Sequence, residues 1–190
     1  MKMLEIEEIL LDQETIDKKV SELAGLIVQD YAGKDLVLVC ILKGAITFTA
    51  DLMRRIPFSI TLDFVQASNY GMGTAPSREI RIKKDIETDI KGRHVLLVDC
   101  IIDSGETIDC LLKRYGERNP ASLKAVVLAD KRSRRTIDVP LAYRGFEIPD
   151  KFVVGYGVDC GEQYRNLPYI AALRRVAAGA PPAGIGDSLE

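Results

Sequence analysis

Acidic, hydroxyl and glycine residues follow a short apolar run in the middle of the chain. Residues 95–98 are all Val or Leu, a run too short for a buried helix but typical of a central strand covered on both faces. We expect this strand to end at the acids that come next. The polar residues of the following stretch are Asp99, Asp103, Ser104, Gly105 and Thr107. Carboxylates can bind hydroxyls, a proton or magnesium, and glycine lets a backbone approach an anion.

An amphipathic helix is predicted directly after this stretch. Ile108, Leu111, Leu112 and Tyr115 repeat at the spacing of a helix with one buried face. The order strand, acidic loop and helix puts the loop at the carboxyl end of a strand, where open parallel sheets bind ligands, and offers free N–H groups to an anion. A simpler reading is that the acids only cap the helix. The flanking strand and glycine favour a binding site.

The rest of the chain predicts an α/β fold. Apolar periodicity and Gly, Pro and Asn punctuation define the elements. A first helix is capped by Asp12 and ended by Gly33, and a second covers 45–56. Strands are predicted over 36–42, 122–130 and 152–155, and an edge hairpin over 59–67 and 79–84. A mobile loop is predicted over 68–78 and a flexible tail over 177–190. We therefore expect one domain over residues 1–176.

Composition excludes several classes of protein. A net charge of −2 over 190 residues lacks the basic footprint of a nucleic-acid-binding protein. The four cysteines stand apart and His94 is the only histidine, so a zinc site is not indicated and His94 is interpreted as structural. No apolar run approaches 18 residues and no secretion signal is recognisable, which indicates a cytoplasmic protein without a membrane partner.

Five segments, in order, resemble the type I phosphoribosyltransferases, in particular their hypoxanthine and hypoxanthine-guanine branch. In chain order they are Leu42-Lys43-Gly44, the loop around Tyr70, residues 95–107, Asp130-Lys131 and residues 145–168. The resemblance spans about residues 10–176. It implies a mostly parallel twisted sheet flanked by helices, a small hood built from both chain ends, and a homodimer or homotetramer.

The resemblance also implies an activity. The family transfers the phosphoribosyl group of 5-phosphoribosyl 1-pyrophosphate to a 6-oxopurine, here hypoxanthine and also guanine, releases pyrophosphate and uses Mg²⁺. Breaking the bond at C1 puts positive charge on the ribose ring and negative charge on the departing pyrophosphate, so the site must stabilise both.

Site residues follow from the resemblance position by position. The 5-phosphate would be held by Asp103, Ser104, Gly105, Glu106 and Thr107, with Asp103 also the acid–base group at the purine N7. Pyrophosphate would be bound by Lys43, Gly44 and Arg165, after a cis peptide bond at Leu42–Lys43. The purine would be bound by Lys131, Phe152 and Val153. Asp99 would contact the ribose hydroxyls and one magnesium ion, Asp159 would hold a second, and Asn69 and Tyr70 would belong to a closing lid.

Three departures from the family pattern affect these expectations. Cys100 replaces the aspartate of a Glu-Asp pair, Asn69 replaces a serine in the lid, and Ser104 replaces a threonine. Since a thiol is a poor ligand for a hard ion, we expect an active enzyme with weakened donor affinity. The alternative, from another class, is a regulator that senses 5-phosphoribosyl 1-pyrophosphate without catalysis.

Simpler readings remain for other residues. Lys43 can be a solvated strand end, Phe152 a core residue, and Asp159 and Arg165 a surface ion pair. The cluster of Arg132, Arg134 and Arg135 is interpreted as the decoration of a solvated loop, or as part of a subunit contact.

Overall fold

The apolar runs of the sequence form the strands of two sheets in the computed structural model, which describes residues 3–70 and 79–176. In chain order the elements are β1 (Met3–Leu11), α1 (Gln13–Tyr31), β2 (Leu36–Leu42), α2 (Ile46–Met53), β3 (Thr61–Tyr70), β4 (Glu79–Lys84), β5 (His94–Ile102), α3 (Glu106–Gly116), β6 (Ser122–Asp130), β7 (Tyr143–Glu147), β8 (Val153–Val154) and β9 (Ile170–Val176).

The larger sheet has six strands in the order β4-β3-β2-β5-β6-β7. All neighbouring pairs are parallel except β3 with β4, which is antiparallel. This arrangement confirms the α/β class and the edge hairpin predicted from the sequence. Strands β2 and β6 have the predicted bounds, because each is an apolar run covered on both faces.

Helices cover both faces of this sheet. Leu38 and Leu96 belong to a buried cluster that includes residues of α1 and α2, whereas Val39 and Leu97 belong to a second cluster with residues of α3. Adjacent strand residues thus serve opposite faces, as the pleat of a strand requires. A sheet buried on both faces explains why its central strands lack an apolar–polar alternation.

The smaller sheet is the hood, with the antiparallel order β1-β9-β8. It joins the two ends of the described chain, as expected. The predicted core strand over 152–155 is confirmed in part, because β8 covers Val153–Val154 and both residues are buried. It is not the last strand, since it pairs in the hood with β9, which follows it. No pattern in the sequence predicted β1, β7 or β9.

Local sequence explains the ends of the first two helices. Asp12 caps α1, since its side chain accepts a hydrogen bond from the Thr15 N–H at 2.7 Å, and Gly33 follows the helix with φ +75°. Helix α2 ends at Met53 rather than at Ile56. The next turn already has i→i−3 hydrogen bonds, and Pro57 disfavours a helical conformation at the residue before it.

Two strands run further than predicted. The strand β5 does not end at Asp99 but continues to Ile102, because Ile101 and Ile102 still pair with β6. Strand β3 continues to Tyr70, so Asn69 and Tyr70 belong to a strand that pairs with β4, not to the loop. The remainder of that loop, residues 71–78, and the predicted tail over 177–190 lie outside the described residues.

His94 has the structural position expected of it. Its Nδ1 lies 2.8 Å from Ser122 Oγ, and its ring meets the ring of Tyr31 edge-on. These contacts join the start of β5 to β6 and to α1. Within the described ranges, no helix has both the length and the apolar character needed to cross a bilayer.

Candidate active site

The carboxyl ends of three neighbouring strands bring three predicted site residues to one edge of the sheet. Lys43 directly follows β2, Asp103 follows β5 and Lys131 follows β6. Strand β5 pairs in parallel with both β2 and β6, so the three ends lie side by side. This edge is where open α/β sheets bind their ligands.

The loop between β5 and α3 forms a small cavity of about 140 Å³. Its polar lining residues are Asp99, Asp103, Ser104, Gly105 and Thr107. Gly105 has φ +92°, and a Cβ there would lie 2.8 Å from the Ile137 carbonyl oxygen, so only glycine fits without strain. Glu106 and Thr107 begin α3, and the Glu106 N–H donates to Ser104 Oγ at 3.4 Å. The N-terminus of a helix favours negative charge, so this end of α3 is suited to an anion.

Backbone hydrogen bonds brace this loop from outside. The Ser104 carbonyl accepts hydrogen bonds from the N–H groups of Thr136 and Ile137 at 3.0 and 3.1 Å. The segment after β6 therefore fixes the shape of the loop after β5. A preformed loop loses little conformational entropy when it binds a phosphate.

Asp99 contributes a carboxylate at the floor of this cavity. Burial raises the pKa of Asp99 to about 7, although hydrogen bonds from the N–H groups of Cys100 and Ile101 oppose the shift. The Cys100 N–H lies 2.8 Å from Asp99 Oδ1. A carboxyl group that is costly to ionise gains most from a cation placed beside it.

The Cys100 side chain points to the face of the sheet opposite that of the Asp99 side chain. Its side chain is 1% exposed and belongs to the cluster that packs against α1 and α2. The Sγ atom lies 3.6 Å from the Tyr156 carbonyl oxygen. Burial raises the pKa of the Cys100 thiol, so the group stays neutral where the family pattern has an aspartate.

A cluster of four charged side chains lies beside the turn after β2. The Leu42–Lys43 peptide bond is cis, as the resemblance implies. Lys43 Nζ lies 2.9 Å from Glu162 Oε2, and Arg165 Nη2 lies 3.3 Å from the same oxygen and 2.8 Å from Asp159 Oδ1. The structure thus brings Lys43, Asp159 and Arg165 together, and it adds Glu162, which the sequence analysis missed.

Close backbone packing joins this cluster to the turn. A Cβ at Gly157 would lie 2.3 Å from the Gly44 carbonyl oxygen, and Gly157 has φ +97°. The Gly157 carbonyl in turn accepts a hydrogen bond from Arg165 Nη1 at 2.8 Å. Gly44 and Arg165 are therefore held on either side of Gly157.

Lys131, Phe152 and Val153 differ in what they offer to a base. Lys131 is buried, and its backbone N–H donates to the Ile102 carbonyl at 3.0 Å. Burial lowers the pKa of Lys131, while the Asp103 carboxylate opposes this shift. Phe152 is 56% exposed, which contradicts the core alternative. Val153 is buried in β8, so only its backbone is suited to contact a ligand.

The arginine cluster after β6 does more than decorate a solvated loop. Arg134 Nε lies 3.0 Å from Asp103 Oδ1, and its Nη1 lies 3.4 Å from Asp150 Oδ1. The buried Arg135 donates from Nε to the fully buried Asp130 at 3.2 Å. The solvated-loop interpretation was wrong for Arg135, because a buried carboxylate requires a partner and Arg135 supplies it. The spacing of these residues in the sequence did not predict the Arg134–Asp103 pair or the Arg135–Asp130 pair.

A comparison with protein-family models matches residues 7–160 to the phosphoribosyl transferase domain. The chain belongs to the type I phosphoribosyltransferase family. The matched range contains the predicted phosphate loop, the turn after β2 and the residues of the purine side, and ends between Asp159 and Arg165.

Curated relatives of this phosphoribosyltransferase are similar along nearly their whole length. It is 43% identical over 170 residues to the hypoxanthine-guanine phosphoribosyltransferase of Bacillus subtilis, covering 90% of this chain and 94% of that protein. It is 44% identical over 168 residues to the hypoxanthine phosphoribosyltransferase of Escherichia coli K12, covering 87% and 94%.

Solved structures share the fold. The hypoxanthine-guanine phosphoribosyltransferase of Bacillus anthracis has a TM-score of 0.84 at 42% identity, covering 90% of this chain and 100% of that one. The hypoxanthine phosphoribosyltransferase of Staphylococcus aureus has a TM-score of 0.85 at 41% identity, covering 90% and 92%. At this identity the comparison extends beyond the fold to the family.

Proposed function

We propose that this phosphoribosyltransferase serves purine salvage by transferring the 5-phosphoribosyl group of 5-phosphoribosyl 1-pyrophosphate to hypoxanthine and guanine, which yields IMP or GMP and pyrophosphate. The observation that carries the proposal is the meeting of Lys43, Asp103 and Lys131 at three adjacent strand ends. The proposed reaction needs one residue at the leaving pyrophosphate, one at the reacting centre and one at the purine base, and Lys43, Asp103 and Lys131 would supply them in that order.

On the donor side, the chain holds the 5-phosphate and stabilises the charge of the leaving group. We assign the 5-phosphate to the N–H groups and hydroxyls of the loop after β5, and pyrophosphate to Lys43, Gly44 and Arg165. As the bond at C1 breaks, the leaving pyrophosphate gains negative charge, which Lys43 and the planar guanidinium of Arg165 are suited to bind.

On the acceptor side, Asp103 and Lys131 divide the work. We assign Asp103 to the proton at the purine N7, where general acid–base catalysis aids transfer. Lys131 would donate to the 6-oxygen, and the exposed ring of Phe152 would stack on the base. A lysine ammonium has no acceptor for the 6-amino group of adenine, so a site of this kind rejects adenine strongly.

Members of this family typically use Mg²⁺, and the carboxylates of this chain fit that ion. Mg²⁺ is usually bound by one or two carboxylates, substrate phosphates and water. We assign one ion to Asp99, which lines the cavity and has a raised pKa, and a second ion to Asp159, which lies in the cluster with Lys43 and Arg165. Bound there, the first ion would orient the ribose hydroxyls and the second would neutralise charge on pyrophosphate.

Three further assignments complete the proposal. Asn69 and Tyr70 end β3, and we assign these two residues to a lid that excludes water during transfer. We also propose a homodimer or homotetramer. Finally, we propose a cytoplasmic enzyme without nucleic-acid or membrane partners, consistent with its four free cysteines.

The deciding experiment is a nucleotide-formation assay with 5-phosphoribosyl 1-pyrophosphate, Mg²⁺ and one base at a time. We expect hypoxanthine and guanine to react and adenine not to react, while xanthine measures how the Val153 backbone treats an oxygen at C2. Binding of the donor without any nucleotide formed would instead support the sensing regulator.

A further inference from the structure

We infer that Glu162 competes with pyrophosphate for Lys43 and Arg165 and thereby sets the balance between donor binding and pyrophosphate release. This inference rests on the proposed function, since it concerns the cations assigned there to pyrophosphate. It can be tested separately from the proposed function, because removing the Glu162 carboxylate should tighten the binding of pyrophosphate.

Contacts place the Glu162 carboxylate between the two cations. Its Oε2 atom lies 2.9 Å from Lys43 Nζ and 3.3 Å from Arg165 Nη2. A glutamate carboxyl group ordinarily titrates near 4.3, so Glu162 is an anion at neutral pH. One oxygen therefore meets both positive groups in the way a phosphate oxygen would.

The backbone holds Glu162 at this position independently of its side chain. Residue 162 has φ +67°, a left-handed conformation that glutamate adopts rarely. Its N–H donates to Asp159 Oδ2 at 2.8 Å. This turn presents the carboxylate to Lys43, which is 119 positions away in sequence. A substitution that changes only the carboxylate leaves this hydrogen bond intact.

Charge balance gives the functional consequence. Lys43 and Arg165 carry two positive charges, and Asp159 and Glu162 carry two negative charges, so the cluster as a whole is neutral. Without Glu162 it would have a net charge of +1, which attracts a polyanion. Pyrophosphate must therefore displace the Glu162 carboxylate or share its donors, and this competition weakens the binding of donor and product alike.

A purely structural role for Glu162 predicts the opposite result. If its ion pairs served to hold Lys43 and Arg165 in a binding geometry, their loss would let both side chains move and would weaken pyrophosphate binding. The sign of the change thus separates competition from positioning. Glu162→Gln is the suitable variant, since it removes the charge and keeps the size of the side chain.

Pyrophosphate with Mg²⁺ is the probe, and isothermal titration calorimetry is the measurement. For Glu162→Gln we expect binding about fivefold tighter than in the unchanged protein, because exposed ion pairs are individually weak. The matched control is Glu14→Gln, which removes a carboxylate paired with Lys18 at 2.6 Å on the surface of α1. The control should leave pyrophosphate binding unchanged.

Steady-state kinetics supply the second readout. Glu162→Gln should lower the KM for 5-phosphoribosyl 1-pyrophosphate and strengthen inhibition by pyrophosphate, with the KM for hypoxanthine unchanged. Equal or weaker pyrophosphate binding by the variant would overturn the inference and leave the proposed function standing. If the unchanged protein neither bound pyrophosphate nor formed nucleotide, the proposed function would fail first and the inference with it.

Discussion

Asp103 is the proposed acid–base group, and its Oδ1 atom is 3.0 Å from Arg134 Nε. Asp103→Asn keeps the size of this side chain but removes its capacity to take a proton. We expect kcat to fall roughly 10²- to 10⁴-fold, the usual contribution of a general acid–base group. Calorimetric binding of IMP should persist, because the loop N–H groups remain. A kcat close to that of the unchanged enzyme would show that another group handles the proton.

Cys100 departs from the family pattern, and we expect this departure to weaken the binding of 5-phosphoribosyl 1-pyrophosphate. Cys100→Asp restores the second carboxylate of the family pattern, so the KM for 5-phosphoribosyl 1-pyrophosphate should fall in the presence of Mg²⁺. The same change buries a carboxyl group at a site that is 1% exposed, so the free energy of unfolding should drop by about 3 kcal/mol or more. Steady-state kinetics and denaturant unfolding measure the two effects.

A matched variant separates charge from size at this position. Cys100→Asn has nearly the same size but no charge, so it should lower the free energy of unfolding by only about 1–3 kcal/mol, and it should not improve the donor KM. An unchanged donor KM in Cys100→Asp would mean that Cys100 does not limit donor affinity. The position of the Cys100 side chain, on the sheet face opposite Asp99, would then explain why the substitution leaves donor affinity unchanged.

At the scale of elements, Asp85 ties the connection between β4 and β5 to α3. Its carboxylate accepts hydrogen bonds from Arg114 and from the Tyr115 hydroxyl at 2.6 and 2.9 Å. Partial burial opposes ionisation, but the hydrogen bonds from Arg114, Tyr115 and Arg118 outweigh it and lower the pKa of Asp85 to about 2. An unfolded aspartate titrates near 3.9. The ionised group therefore stabilises the folded chain above about pH 4, and this contribution is lost as the pH falls towards 2.

Asp85→Asn should reveal this dependence. At pH 7 we expect the free energy of unfolding to fall by about 1–2 kcal/mol, after allowance for solvent screening of a partly exposed group. The difference from the unchanged protein should shrink as the pH is lowered from 5 to 3 in urea titrations. The control is Asp138→Asn, whose carboxylate is exposed and 3.6 Å from Arg132. A difference that stayed constant over this range would contradict the assignment.

The elements also show which kinds of structure a sequence reveals. Strands β2 and β6 were predicted to the residue, because burial on both faces leaves an apolar run that no other element of that length produces. Strand β1 was missed, since its glutamates interrupt the apolar pattern and its partner β9 lies at the other end of the chain. Pairing between distant segments leaves no local signal.

The same distinction applies to the site. Asp103, Lys43 and Lys131 were predictable because each directly follows a recognisable strand and lies in a segment that resembles the family. Glu162 and Arg135 were not, because their roles arise from contacts with side chains that sequence spacing does not relate to them. The sequence thus predicts residues that a strand end or a family segment positions, but it gives no sign of the ion pairs that Glu162 and Arg135 form.

At the scale of the whole molecule, the hood and the six-stranded sheet share one core. Val153 and Ile170 of the hood belong to the same buried cluster as Leu38 and Leu96 of the sheet. The two sheets should therefore unfold together. The proposed nucleotide site spans both, since the phosphate loop follows β5 and Phe152 precedes β8.

IMP should consequently stabilise the protein more than either of its parts. At a concentration 100 times its dissociation constant, a ligand adds about 2.7 kcal/mol to the free energy of unfolding, which for a chain of this length raises Tm by roughly 5–10 °C. In the proposed site, ribose 5-phosphate would contact only the loop after β5 and hypoxanthine only Lys131, Phe152 and Val153, so at equal concentration each should shift Tm by less. Differential scanning calorimetry measures all three. Because the core is shared, the transition with IMP should remain single, and a split transition would show that the hood and the sheet bind and unfold as separate bodies.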